Sequence, residues 1–218
     1  MHITYYFRAI GLLPFAVAFV TIVLLVARIS YPSMGERISL RIIKRTLLGF
    51  LLTYPAILSI LQWWVWSRDT FTRTFLALPL SPLVSLPPWL SPIRALFAHA
   101  GGYFAFYSFG RFWLHSFIVL ACAGLFLLVM RSVSYMKPGS ISDQDMSLAF
   151  IAGLLAGWPG FPVFLIVFSM SAIIYALYNA VRGHMSFSIA FPLIFSSAAT
   201  VVLGNWLITI FHLSVLNI

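Results

Sequence analysis

Carboxylates are what this 218-residue chain has least of: three aspartates and one glutamate stand against thirteen lysines and arginines, a net charge of +9. Charged residues of both signs make up 8% of the chain, against about 25% in an ordinary soluble domain. A water-facing surface cannot be assembled from so few. Cysteine occurs once, as Cys122 inside an apolar run, which excludes a disulfide framework within one chain and any CxxC redox or zinc site. The five histidines are scattered without HxxxH or HExxH spacing, so no metal centre is expected. No G-x-S-x-G nucleophile motif is present, and serine chemistry around His99 or His115 has no anchor. There is no internal repeat. The excess of basic residues forms no nucleic-acid patch, because these residues punctuate apolar segments one or a few at a time.

What the chain has in abundance is apolar length. Hydrophobic residues make up 62% and the mean hydropathy is +1.03. A chain of this size holds about five to seven spans of roughly 20 residues each. The expected fold class is therefore all-α: a polytopic integral membrane protein of about six transmembrane helices, with residues 1–218 forming a single membrane domain. Its expected location is the inner (plasma) membrane, multi-pass, with the lipid bilayer as its first partner.

Leu12–Ala27 reads as a first span that is retained, since the run is too long for a cleaved signal and lacks the usual flanks. Ile29–Arg45 carries Arg37, Arg41, Lys44 and Arg45 against Glu36, and the positive-inside rule makes it cytoplasmic. Thr46–Trp66 is the second span, closing on the interfacial aromatics "QWWVW". The stretch that follows contains Pro79, Pro82, Pro87, Pro88 and Pro92. Five prolines remove too many N–H donors for an unsupported helix in lipid, so residues 79–92 are expected to form an interfacial or re-entrant connection. Arg94–Phe109 is read as a short or tilted span and Phe112–Met130 as a full one, with Arg111 and His115 sharing a helical face. Residues 146–179 are too long for one crossing and are interrupted by "GWPGFP", which predicts a helical hairpin of 146–157 and 162–179. Phe187–Phe211 is the last span.

Two of the three aspartates, Asp143 and Asp145, sit two places apart in "GSISDQDMSLAFIAGLLAGW", ahead of an apolar segment. Carboxylates in a first helical turn interact favourably with the free N–H groups there, so capping accounts for the pair by itself. Counting from Asp145, Leu148 stands at +3, Gly153 at +8, Gly157 at +12 and Trp158 at +13. In that register the segment resembles the stretch after the second catalytic aspartate of the type IV prepilin peptidases, G-x-G-D-V-K-L-L-A-A-L-G-A-W-L-G-W. His184–Asn205 is similar to that family's last helix, and the resemblance covers residues 131–210. Ser142-Asp143-Gln144-Asp145 keeps the aspartate of the motif without its glycines, and Ser147 stands where the family has lysine.

The resemblance implies an intramembrane aspartic endopeptidase, without the cytoplasmic zinc-binding methyltransferase domain of longer members and without a cofactor. Its substrate and partner would be a prepilin-type precursor, cleaved behind a short basic leader at the cytoplasmic membrane face. Such chemistry needs two carboxylates sharing a proton, one ionised to activate water and one protonated to donate to the carbonyl. The partners open to Asp145 are Glu36, Asp69 and Asp143. Asp69, in "WSRDTFTRTF", has Arg73 at +4 and Phe75 at +6 and resembles the family's first aspartate, D-L-R-x-R-R-I-P. The implied catalytic pair is thus Asp145 and Asp69. Charge reasoning pulls the other way: if Ile29–Arg45 is cytoplasmic, Asp69 emerges on the far side of Thr46–Trp66, whereas Glu36 and Asp145 share a face. The alternative is a catalytically degenerate membrane subunit of a pilus, secretion or conjugation apparatus that keeps the fold.

Overall fold

The computed structural model describes residues 2–31, 39–88, 90–137, 139, 141–183 and 188–210. Glu36, Arg37 and His184, and the ends of the last expected span at Phe187 and Phe211, lie outside the described residues. Every regular element among the described residues is helical. The helices are α1 (His2–Ser30), α2 (Leu40–Arg68), α3 (Thr70–Phe75), α4 (Gly102–Ser108), α5 (Leu114–Met136), α6 (Asp143–Ala156), α7 (Phe161–Val181) and α8 (Ala190–Ile210). A 3₁₀ helix covers Ser91–Phe97, and a π turn at Phe109–Trp113 joins α4 to α5.

Four stretches are long and apolar enough to cross a membrane: Gly11–Ser30, Leu40–Arg68, Gly102–Met136 and Phe161–Val181. Ala190–Gly204 is apolar but shorter. Their outer faces are apolar too. Phe15, Phe19 and Val23 on α1 and Met170, Ile173, Ile174 and Leu177 on α7 are all exposed, a surface suited to lipid and not to water. Hydroxyl groups within these helices bond back to carbonyls four residues earlier, as Thr21 does to Val17 and Ser132 to Leu128. That is how a polar side chain is satisfied where water is absent.

The first two helices begin well before the expected spans, at His2 and Leu40 in place of Leu12 and Thr46, and one expected span does not stand alone. Arg94–Phe109 is not a separate span. Its first residues belong to the 3₁₀ helix, and from Gly102 onward the chain runs as one helix through to Met136. No proline interrupts Gly102–Met136, and a π turn, in which the Leu114 N–H donates to the Phe109 carbonyl, absorbs one surplus residue without breaking it. The turn between the last-but-one helices falls where "GWPGFP" predicts it, leaving α6 and α7 joined by residues 157–160.

The chain forms two compact units, Met1–Leu47 with Val119–Ile218, and Leu48–Ile118. In the first, α8 packs along both α6 and α7 and also meets α1. Ser171 lies 3.2 Å from Ser196, and the Tyr175 ring 5.3 Å from that of Phe191, so α7 and α8 run antiparallel. The core gathers Leu25, Leu40, Leu148, Ile151, Phe164 and Leu193. Phe126 meets Phe164 and Phe168 edge-on, at 5.3 and 5.5 Å between ring centres. In the second unit the Ser108 hydroxyl donates to Ser59 Oγ at 2.6 Å and Trp113 Nε1 to the same oxygen at 3.2 Å. Trp66 lies against Tyr103, Phe104 and Tyr107. Backbone hydrogen bonds hold the start of the proline-rich segment: Leu80 N–H donates to the Phe97 carbonyl (2.9 Å) and Tyr103 N–H to that of Leu78 (3.1 Å). Leu80, Leu90 and Phe97 are buried.

Candidate functional site

Asp145 is the third residue of α6, and Ser142 is its N-cap in extended backbone (φ −80°, ψ 161°). Ser142 Oγ accepts the Asp145 N–H at 3.1 Å. Asp145 Oδ2 in turn accepts the Ser142 hydroxyl at 2.8 Å and its N–H at 3.3 Å. This reciprocal box satisfies two of the N–H groups that a helix start leaves orphaned. Its signal is present in the sequence as Ser-x-x-Asp ahead of an apolar run.

The two neighbouring aspartates differ. Asp145 is half-buried and Asp143, the first helical residue, is exposed and takes no part in the box. Ser147, at the place where the resemblance has lysine, bonds back to the Asp143 carbonyl at 3.0 Å. Among the described residues, the first turn of α6 is thus held by hydroxyl and carboxylate groups.

The glycines downstream have separate uses. A Cβ at Gly153 would lie 3.0 Å from Ala123 Cα and 3.1 Å from its Cβ, so this glycine allows α6 to approach α5 at backbone distance. Gly157 has φ 62° and ψ 178° and nothing within 4 Å of a would-be Cβ. It is needed for its backbone conformation, in a region that essentially only glycine enters. A cis Trp158–Pro159 bond follows. At Gly160 a Cβ would collide with the Ala156 carbonyl and with Thr200 of α8. The segment after Asp145 is therefore built as one block: cap, close crossing, turn, return helix.

Asp69 lies in the other unit, directly after the last residue of α2, and is exposed. It is the N-cap of α3, accepting the Thr72 N–H at 2.9 Å with φ −100° and ψ 131°. Its neighbour Arg68 lies over the Trp64 ring, 5.1 Å from the ring centre. Arg41, Lys44 and Arg45 occupy the first turns of α2, and Asp69 follows the last residue of this 29-residue helix. Each of the two candidate carboxylates is thus engaged within its own unit at a helix start, Asp69 as N-cap and Asp145 in a capping box.

Sequence reasoning passed over the cluster of Ser59, Ser108 and Trp113, because single serines in apolar runs carry no periodic signal. It also passed over Arg94, whose role is set by a loop fold. No protein-family model, curated protein or solved structure matches this chain.

Proposed function

We propose that the chain is a multi-pass membrane protein of the inner membrane that acts as a prepilin-peptidase-like aspartic endopeptidase, with Asp145 supplying one of its carboxylates. Six helices would cross or enter the bilayer: α1, α2, the continuous helix Gly102–Met136, the hairpin of α6 and α7, and α8. The basic residues at the ends of α1 and α2 (Arg28, Arg41, Lys44, Arg45), with Arg131 and Lys137 at the end of α5, make that side cytoplasmic. Asp145 follows Lys137 and so belongs to that face.

One observation carries the reading: Asp145, half-buried at the start of α6, stands in register with Gly153 and Gly157, which the helix crossing and the turn each require. A carboxylate at the head of an apolar helix, at the cytoplasmic boundary, suits cleavage of a basic leader just before a hydrophobic segment. Asp69 is the second carboxylate by resemblance. Glu36, which precedes α2, is the one that charge reasoning puts on the same face as Asp145.

A second reading is favoured by the position of Asp69 at the end of α2 remote from its basic turns. There the chain is a catalytically degenerate subunit of a pilus, secretion or conjugation apparatus, with both aspartates serving as caps. Co-expression with a pilin-like precursor separates the two. A shift of the precursor to mature mobility, lost with Asp145→Asn and with either Asp69→Asn or Glu36→Gln, supports the peptidase. An unprocessed precursor beside a well-folded wild-type protein supports the subunit.

A further inference from the structure

Residues 81–84 form a turn in which the Val84 N–H donates to the Ser81 carbonyl at 3.2 Å and the Leu83 N–H to Ser81 Oγ at 3.3 Å. Arg94 reaches into it from the 3₁₀ helix. Its Nη2 donates to the carbonyls of Ser81 (3.3 Å), Val84 (2.9 Å) and Pro82. A guanidinium engaged by three carbonyls fixes a backbone that proline has already deprived of donors.

The result is a loop braced by polar groups from within and apolar at its apex. Leu83 is 93% exposed. Ile93 and Leu96, three apart in the 3₁₀ helix, lie on one ridge and are 40% and 69% exposed. Phe97, on another ridge, is buried with Leu80 and Leu90. The interior of this loop is already filled, so the outward leucines are surplus to its own folding.

The surroundings indicate what covers them. Backbone hydrogen bonds from Leu80 to Phe97 and from Tyr103 to Leu78 tie the loop to the start of α4. The end of α2 in the same unit exposes Trp63 and Trp64, with Arg68 stacked on the latter. Tryptophan and arginine together at a helix end are the composition of a membrane–water boundary. From Asp69 to Gly101 the chain carries only Asp69, Arg73 and Arg94 as charges, and Asp69 and Arg94 are engaged in the cap and the brace. A lipid interface accepts such a surface; open water does not.

We propose that this Arg94-braced loop is a membrane-interface anchor, with Leu83 inserted at the boundary between lipid headgroups and acyl chains on the side where α2 ends. The proposal rests on the reading that α2 spans the bilayer, and the experiment separates the two. In the full chain carrying Cys122→Ala, an environment-sensitive fluorophore is attached to Leu83→Cys or, in a second protein, to Ile57→Cys in mid-α2, where Ile57 is 51% exposed. Both proteins are reconstituted in phosphatidylethanolamine–phosphatidylglycerol vesicles. The anchor requires blue-shifted emission at position 83, quenched at least two-fold more by lipids labelled near the glycerol backbone than by aqueous iodide. Position 57 should be quenched by lipids labelled deep in the chains. Water-like emission and iodide quenching at 83, with lipid quenching at 57, overturns the anchor and leaves a protein-contact surface in its place. Aqueous behaviour at both positions overturns the spanning of α2 and the anchor with it.

Discussion

The Ser142 hydroxyl and the Asp145 carboxylate bond to each other at 2.8 Å and close the first turn of α6 from both directions. A structural role for Asp145 is therefore in hand before any chemistry is invoked. Replacing Ser142 by alanine removes the acceptor for the Asp145 N–H, at a cost of about 0.5–2 kcal/mol for an N-cap. Hydrogen exchange should accelerate at Asp145 and Met146 and remain unchanged in α7. Equal protection in Ser142→Ala and the wild type would mean that the box contributes nothing.

Gly153 and Gly157 are expected to fail differently. Gly153→Val pushes a branched side chain into Ala123 and should lower stability by about 1–3 kcal/mol through overpacking. Gly157→Ala meets no neighbour within 4 Å, yet should cost about 1–3 kcal/mol because alanine resists its backbone conformation. Gly49 in α2 is the control. It has open space and no positive φ, so Gly49→Ala should stabilise by about 0.5–1 kcal/mol. Thermal unfolding of the three variants in one detergent compares them directly.

Ser59 accepts from both Ser108 and Trp113 while donating to the Pro55 carbonyl at 2.8 Å. Ser59→Ala should strip both donors of their partner and lower the unfolding temperature. A double-mutant cycle with Ser108→Ala should return a coupling of about 0.6 kcal/mol, with about 1.7 as the upper bound for hydrogen bonds between membrane helices. Additive losses would show that the short contact has no energetic weight.

Helix identity was legible in the sequence wherever hydropathy alone decides it, as at Leu40–Arg68 and Phe161–Val181. The turn of "GWPGFP" was legible because proline and glycine act locally. The fusion of Gly102–Phe109 with the span after it was not, because a π turn is a register adjustment within a helix and leaves no mark in composition. Asp145 was legible as a carboxylate in a first helical turn and closes a capping box with Ser142, whereas Asp69 was legible only as a residue after a span and proves to be the N-cap of α3. The fold of residues 79–92 was hidden for another reason: Arg94 contacts carbonyls ten to thirteen residues earlier, and carbonyls are the same in every residue. Likewise, Gly153 and Gly157 look equivalent at a spacing of four, although one serves a crossing and the other a turn.

The direct measurement is cleavage of a purified pilin-like precursor by this protein in vesicles, with wild type, Ser142→Ala and Asp145→Asn compared at equal folded fraction. Asparagine retains a cap acceptor but cannot act as acid or base, so stability and chemistry part company at this residue. Cleavage by the wild type, reduced at most a few-fold in Ser142→Ala and lost in Asp145→Asn, is the expected result. Cleavage by Asp145→Asn at the wild-type rate would contradict the account and leave Asp145 as a helix cap alone.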